Sequence, residues 1–121
     1  MATGGGDRDV VRALADRASD AEGRAARLRE QLRSLTDAAA GANADDEHDP
    51  EGATLAYERE QMATLLRQAE ADLAELAAAR VRLAEGSYGI CEVCGEAIGD
   101  GRLAARPTAR TCLVCAGRRV R

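Results

Sequence analysis

Apolar residues between Val11 and Leu35 recur in alternating steps of three and four: Val11, Leu14, Ala18, Ala21, Ala25, Leu28, Leu32 and Leu35. This heptad spacing puts one stripe on a helix and lays it against a second helix. Arginines and acids fill the remaining positions, so a solvated helix is predicted from about Asp7 to Ala40. Gly23 falls off the stripe and costs about 1 kcal/mol of helix propensity. A second run from about Thr54 to Glu85 keeps the spacing through Leu55, Arg59, Met62, Leu66, Ala69, Leu73, Leu76, Arg80 and Leu83. Leu65 and Val81 are expected to widen that stripe. Arg59 and Arg80 interrupt it, with stems that can pack while their guanidinium groups reach water or an acid. Thr54 is a candidate N-cap, and Gly86 sits where the helix should stop.

Between the runs lies GANADDEHDPEGA, residues 41–53, with glycines near both ends and Pro50 inside it. Two striped helices joined by a short polar loop fold as an antiparallel hairpin. About thirty residues at ~1.5 Å each make an arm on the order of 45 Å long. The expected fold is mainly α: a long antiparallel two-helix coiled-coil hairpin with a C-terminal four-cysteine zinc finger. Its divisions are a flexible N-terminus (1–6), the hairpin (7–86) with an acidic tip loop (41–53), the finger (87–116) and a basic tail (117–121).

Composition supports a slender helical molecule. The 121 residues contain no Phe or Trp and only two Tyr, and the apolar fraction is mostly alanine. A two-helix arm buries little area, so a four-helix dimer is an alternative to the expected monomer stapled by the cysteine module. The net charge of −4 does not describe a polycation seeking nucleic acid. The N-terminal MATGGGDRDVV lacks a signal-peptide core, and no stretch is long and apolar enough to span a membrane. A cytoplasmic protein is expected, with its thiols reduced.

All four cysteines sit in YGICEVCGEAIGDGRLAARPTARTCLVCA, residues 88–116, spaced C-x2-C-x17-C-x2-C. Two residues between cysteines let both thiolates face one ion, and two such knuckles complete a tetrahedron. The ligand set is Cys91, Cys94, Cys112 and Cys115, holding one structural Zn2+. Four thiolates leave no open position for water or substrate. The rivals are a disulfide pair or a redox-active CxxC, and the latter usually occurs once, in a βαβ setting that is not visible here.

The same stretch resembles the C4 zinc finger of the bacterial DksA/TraR family. The likeness rests on Tyr88-Gly89-x-Cys91, Cys94-Gly95, Ile98, Arg102-Leu103, Ala105-Arg106-Pro107-Thr108-Ala109 and the closing Cys-x2-Cys. It implies a transcription regulator that binds RNA polymerase directly, its coiled-coil arm entering the secondary channel. Acidic tip residues then come near the catalytic Mg2+ region, and the finger fixes the arm's geometry. Asp45, Asp46, Glu47, Asp49 and Glu51 place five carboxylates in seven residues, a concentrated negative charge to present to a partner. A merely solvated turn would carry the same residues; the resemblance favours the polymerase-facing reading. The family's Asp-x-x-Asp-x-Ala tip is not matched in either register. Asp49 as the first Asp puts Gly52 and Thr54 at the other two positions, whereas Asp46 and Asp49 as the pair puts Glu51 at the alanine. Arg106 matches the site where some relatives bind the alarmone ppGpp, but Ala116 and the acids Asp72 and Glu75 depart from it and argue against alarmone dependence. His48 reads as a polar surface residue whose acidic neighbours favour protonation.

Residues 102–121 carry six arginines and no acid, and Arg102, Arg106 and Arg110 are candidate basic contacts. They support the alternative of a zinc-finger module binding nucleic acid or another protein. Direct DNA binding is not expected, because no recognition helix or stacking platform lies between the knuckles. These arginines can instead pair with acids of the hairpin. An enzyme is not expected either, since no nucleophile arrangement, phosphate-cradling loop or open metal position is present.

Overall fold

The computed structural model of the chain describes residues 4–42 and 50–119. Four helices follow in order: α1 (Gly4–Ala42), α2 (Pro50–Glu85), α3 (Asp100–Ala105) and α4 (Leu113–Arg119). The fold is mainly α, a long antiparallel two-helix coiled-coil hairpin followed by a four-cysteine finger. Both long helices extend further than the pattern predicts. α1 reaches back to Gly4 and on to Ala42, and α2 begins at Pro50 rather than near Thr54. Proline is at home in a first helical turn, where its missing N–H is needed by no partner. The connection is therefore shorter than residues 41–53.

One compact unit comprises residues 19–73. Ala25, Leu28 and Ala69 are buried there, with Met62, Leu66 and Leu73 packed against them. Alanine at the contact brings the helices close, and the leucines and Met62 supply most of the apolar area. Arg24 pairs with Asp72 at 3.6 Å and Arg29 with Glu70 at 3.4 Å. Partner numbers fall on α2 as they rise on α1, as antiparallel helices require. All four side chains are about half-exposed, so each pair contributes at most about 1 kcal/mol. Leu65 does not widen the stripe: it is exposed, as is Tyr57.

The other unit comprises residues 1–18 and 74–121. Leu14, Ala18, Leu76 and Ala79 are buried in it. Ala79, not Arg80, occupies the seam, and both Arg80 and Val81 point to solvent. An α-helix drifts by about 20° per heptad against a strict 3.5-residue repeat, enough to exchange neighbouring positions over a long run. Val11 is half-exposed, because α2 ends at Glu85 and offers no further turn opposite the start of α1. That ending is a Schellman cap: the Gly86 N–H donates to Leu83 O at 3.3 Å and the Ser87 N–H to Arg82 O at 2.9 Å. Gly86 has φ +84°, a left-handed conformation that glycine adopts without penalty.

Leu14 is fully buried, so Leu14→Ala is expected to cost about 3 kcal/mol, read by urea unfolding followed by far-UV circular dichroism. In the same assay Ala79→Arg should be severely destabilising and Arg80→Ala nearly neutral. The reverse order would restore the uninterrupted 3/4 seam.

Candidate metal centre

Each half of the finger is a short chain reversal held by backbone hydrogen bonds. The first knuckle is closed by Cys91 N–H to Glu96 O at 2.8 Å and Gly95 N–H to Cys91 O at 3.0 Å. Gly95 takes φ +79°, which explains glycine directly after the second cysteine. An antiparallel bridge joins Ile90 to Ala97. The second knuckle opens α4, where Ala116 N–H donates to Cys112 O at 2.9 Å. Glu92 N–H to Arg110 O, 2.9 Å, ties the two knuckles together.

These elements bring all four cysteine sulfurs within 4.8 Å of one another. Cys94 Sγ and Cys112 Sγ are 3.8 Å apart. Zn–S bonds of about 2.3 Å in a tetrahedron place sulfurs about 3.8 Å from each other, whereas a disulfide needs about 2.05 Å. The donor set fits zinc, and four ligands close its coordination. The thiols' proton affinities are spread apart by their surroundings. The Cys94 backbone N–H pulls Cys91 down to about 6, against the effect of burial. The Cys115 backbone N–H does most to lower Cys112. Cys115 is pushed up to about 12, first by burial and then by the three neighbouring thiols. Cys94 is drawn down by the Glu96 N–H but ends raised, through burial and the Cys91 thiol. Four adjacent thiolates repel one another until a divalent cation neutralises them.

Around the ligands, the buried core is Cys91, Ile98, Ala109 and Cys115, with Leu103 and Cys112 packed against it. Arg102 Nε donates to Thr111 O at 2.8 Å, clamping the approach to Cys112. Arg110 Nε and Nη2 reach the two oxygens of Glu75 at 3.0 and 3.4 Å, and its Nη1 reaches Glu92 at 3.1 Å. The Tyr88 hydroxyl donates to Pro107 O at 2.8 Å. Its pKa is raised by burial, with Arg82 and Arg17 acting the other way.

The description "Prokaryotic dksA/traR C4-type zinc finger" matches residues 86–121. A chain titled transcription factor DksA2 from Pseudomonas aeruginosa has the same fold, with a TM-score of 0.78 and 26% identity over 93% of this chain and 81% of that one. Residues 86–121 of this chain therefore match a DksA/TraR-type C4 zinc finger. Haemophilus influenzae RNA polymerase-binding transcription factor DksA is 35% identical over 69 residues, 54% of this chain and 48% of that protein. An uncharacterised protein of Aquifex aeolicus is 40% identical over 62 residues, covering 51% of this chain and 43% of its own length. The matches thus span less than half the length of these curated relatives.

The structure unites the four cysteines of the DksA/TraR finger and divides the basic contacts. Arg102 and Arg110 are spent on internal partners, whereas Arg106 and Arg118 point to solvent. Glu75 is the bidentate acceptor for Arg110. The 35-residue separation of that pair leaves no local signal in the sequence. Of the tip residues, Asp45, Asp46, Glu47 and Asp49, with His48, lie outside the described residues; Glu51 is exposed in the first turn of α2.

Purified protein should carry one tightly bound zinc, and Cys115→Ser should lose it, as metal analysis would show. Protons compete with zinc because every ligand must be a thiolate when bound. Zinc binding displaces the thiol protons, so the metal's stabilisation is present at neutral pH and lost as pH falls. Zinc released into a chromogenic chelator during acid titration reports that loss.

Proposed function

We propose that this protein is a transcription regulator that binds RNA polymerase through the secondary channel, presenting an acidic coiled-coil tip near the catalytic Mg2+ region. The observation that carries this reading is the likeness to DksA2 over 93% of the chain, hairpin and finger together. The relative named an RNA polymerase-binding transcription factor supports it. In this reading the finger, residues 87–116, is structural, and its zinc holds the end of α2 in a fixed setting. Asp45, Asp46, Glu47, Asp49 and Glu51 form the polymerase-facing group. Residues 1–6 and 117–121 flank the working body, which acts as a cytoplasmic monomer without ppGpp. The closed thiolate site and the absence of an open metal position argue against catalysis by the finger itself.

The internal use of Arg102 and Arg110 weakens the rival reading of a nucleic-acid-binding finger, since two of its three proposed contact residues are already engaged.

A pull-down from native cell extract should recover the core polymerase subunits. Asp46→Asn with Asp49→Asn should abolish the transcriptional effect in vitro while leaving the circular dichroism spectrum and zinc content unchanged. Regulation equal to wild type by the double variant would remove the tip from the mechanism.

A further inference from the structure

The start of α1 and the finger enclose a cavity of about 610 Å³, a volume typical of small-molecule sites. Leu14 from α1, with Leu103 and Pro107 from the finger, gives it an apolar lining. Four polar side chains share that lining: Asp9 and Arg17 from α1, Tyr88, and Asp100 from α3. None of Asp9, Arg17 and Asp100 forms an ion pair among the described residues. The zinc ligands do not line this cavity, and the polymerase reading makes no use of it.

Positive charge gathers at the Tyr88 side of the cavity. Burial raises the Tyr88 pKa, while Arg82 and Arg17 lower it, so both guanidinium groups lie within Coulomb range of the phenol oxygen. Arg82 Nη2 reaches Thr108 O at 3.4 Å, and Thr108 follows the lining residue Pro107, so Arg82 adjoins the cavity wall. Its Nη1 is buried and has no hydrogen-bond partner among the described residues. A buried charged donor left unpaired is costly, and an acceptor is what this corner lacks. Asp100 does not supply it: it stands in the first turn of α3, where free backbone N–H groups already favour its charge.

We propose that this cavity binds a small amphipathic monocarboxylate, its apolar chain on Leu14, Leu103 and Pro107 and its carboxylate held by Arg17. Arg82 adds to the positive field at that end. Charge and shape select this class of ligand. A carboxylate matches the planar donors of a guanidinium group, and the apolar lining holds the chain that follows it. A phosphate monoester brings a second negative charge, which Asp9 and Asp100 oppose. An alcohol of the same length fills the lining but leaves the Arg17 charge unanswered. Because the lining comes from both α1 and the finger, an occupant joins the two and stabilises the folded chain by mass action.

The test titrates sodium octanoate into the full-length, zinc-loaded, 15N-labelled chain and follows amide shifts by NMR. Saturable shifts are expected at Gly89, Ala97, Gly99 and Leu103, with a rise in thermal melting temperature. Arg17→Gln should weaken octanoate binding about tenfold, with zinc content and circular dichroism unchanged, since Arg17 is exposed and unpaired among the described residues. Ala13→Phe places a ring in the cavity from an exposed lining position and should abolish binding; if that variant does not fold, Arg17→Gln decides alone. Octan-1-ol should bind about tenfold more weakly than octanoate. Absence of saturable shifts with octanoate, or wild-type affinity in Arg17→Gln, overturns the proposal. Octylamine binding more tightly than octanoate assigns the cavity to cations through Asp9 and Asp100 and overturns it too. Inorganic phosphate shifting the same amides as strongly as octanoate shows a bare anion site and overturns the role of the apolar lining.

Discussion

Mutual repulsion among four thiolates is the constraint on which the finger depends. Two of its four buried core residues, Cys91 and Cys115, are themselves ligands, so its packing and its coordination are the same event. Ile98 and Ala109 are too few to hold some thirty residues against their chain entropy, which costs about 1–2 kcal/mol per residue for the backbone alone. Zinc–thiolate bonding offsets that cost. In structural zinc peptides it amounts to about 10–16 kcal/mol at neutral pH. The knuckle hydrogen bonds and the left-handed Gly95 place the sulfurs, and the ion makes their proximity favourable.

The hairpin is held by a different means. Its seam mixes alanine with leucine, which permits close helix approach and yields modest buried area per residue. Half-exposed ion pairs such as Arg24–Asp72 and Arg29–Glu70 add little energy, and their larger effect is to favour one register. At the end of α2 the Schellman cap at Gly86 turns the chain directly into the finger. Arg110 then joins Glu75 on the helix to Glu92 in the first knuckle. One guanidinium thus connects the helix to the metal centre, a use for which its planar set of donors is well suited.

In the proposed mechanism chemistry and positioning are separated. The zinc site has no open position and serves geometry, while the carboxylates around residues 45–51 supply the charge that would act on a partner.

Periodicity and spacing determined much of this protein. The seam from Leu14 to Leu28, the helix stop at Gly86 and the zinc ligand set are local repeats or local turn chemistry, and each is visible within a few residues. The 3/4 pattern failed at Arg80, where helical drift places Ala79 in the contact, and Leu65 and Val81 do not widen the stripe, being exposed. Pro50, placed inside the loop by the sequence pattern, starts α2, because proline breaks a helix only after its first turn. Pairing of the finger's arginines with hairpin acids was an open alternative in the sequence, and Arg110 takes it up with Glu75. Which arginine pairs with which group had no local signal, and only tertiary proximity turned Arg102 toward Thr111 and Arg110 toward Glu75 and Glu92. Local order follows from the covalent chain, whereas the partner of a charge is decided by whichever distant group the fold brings within reach.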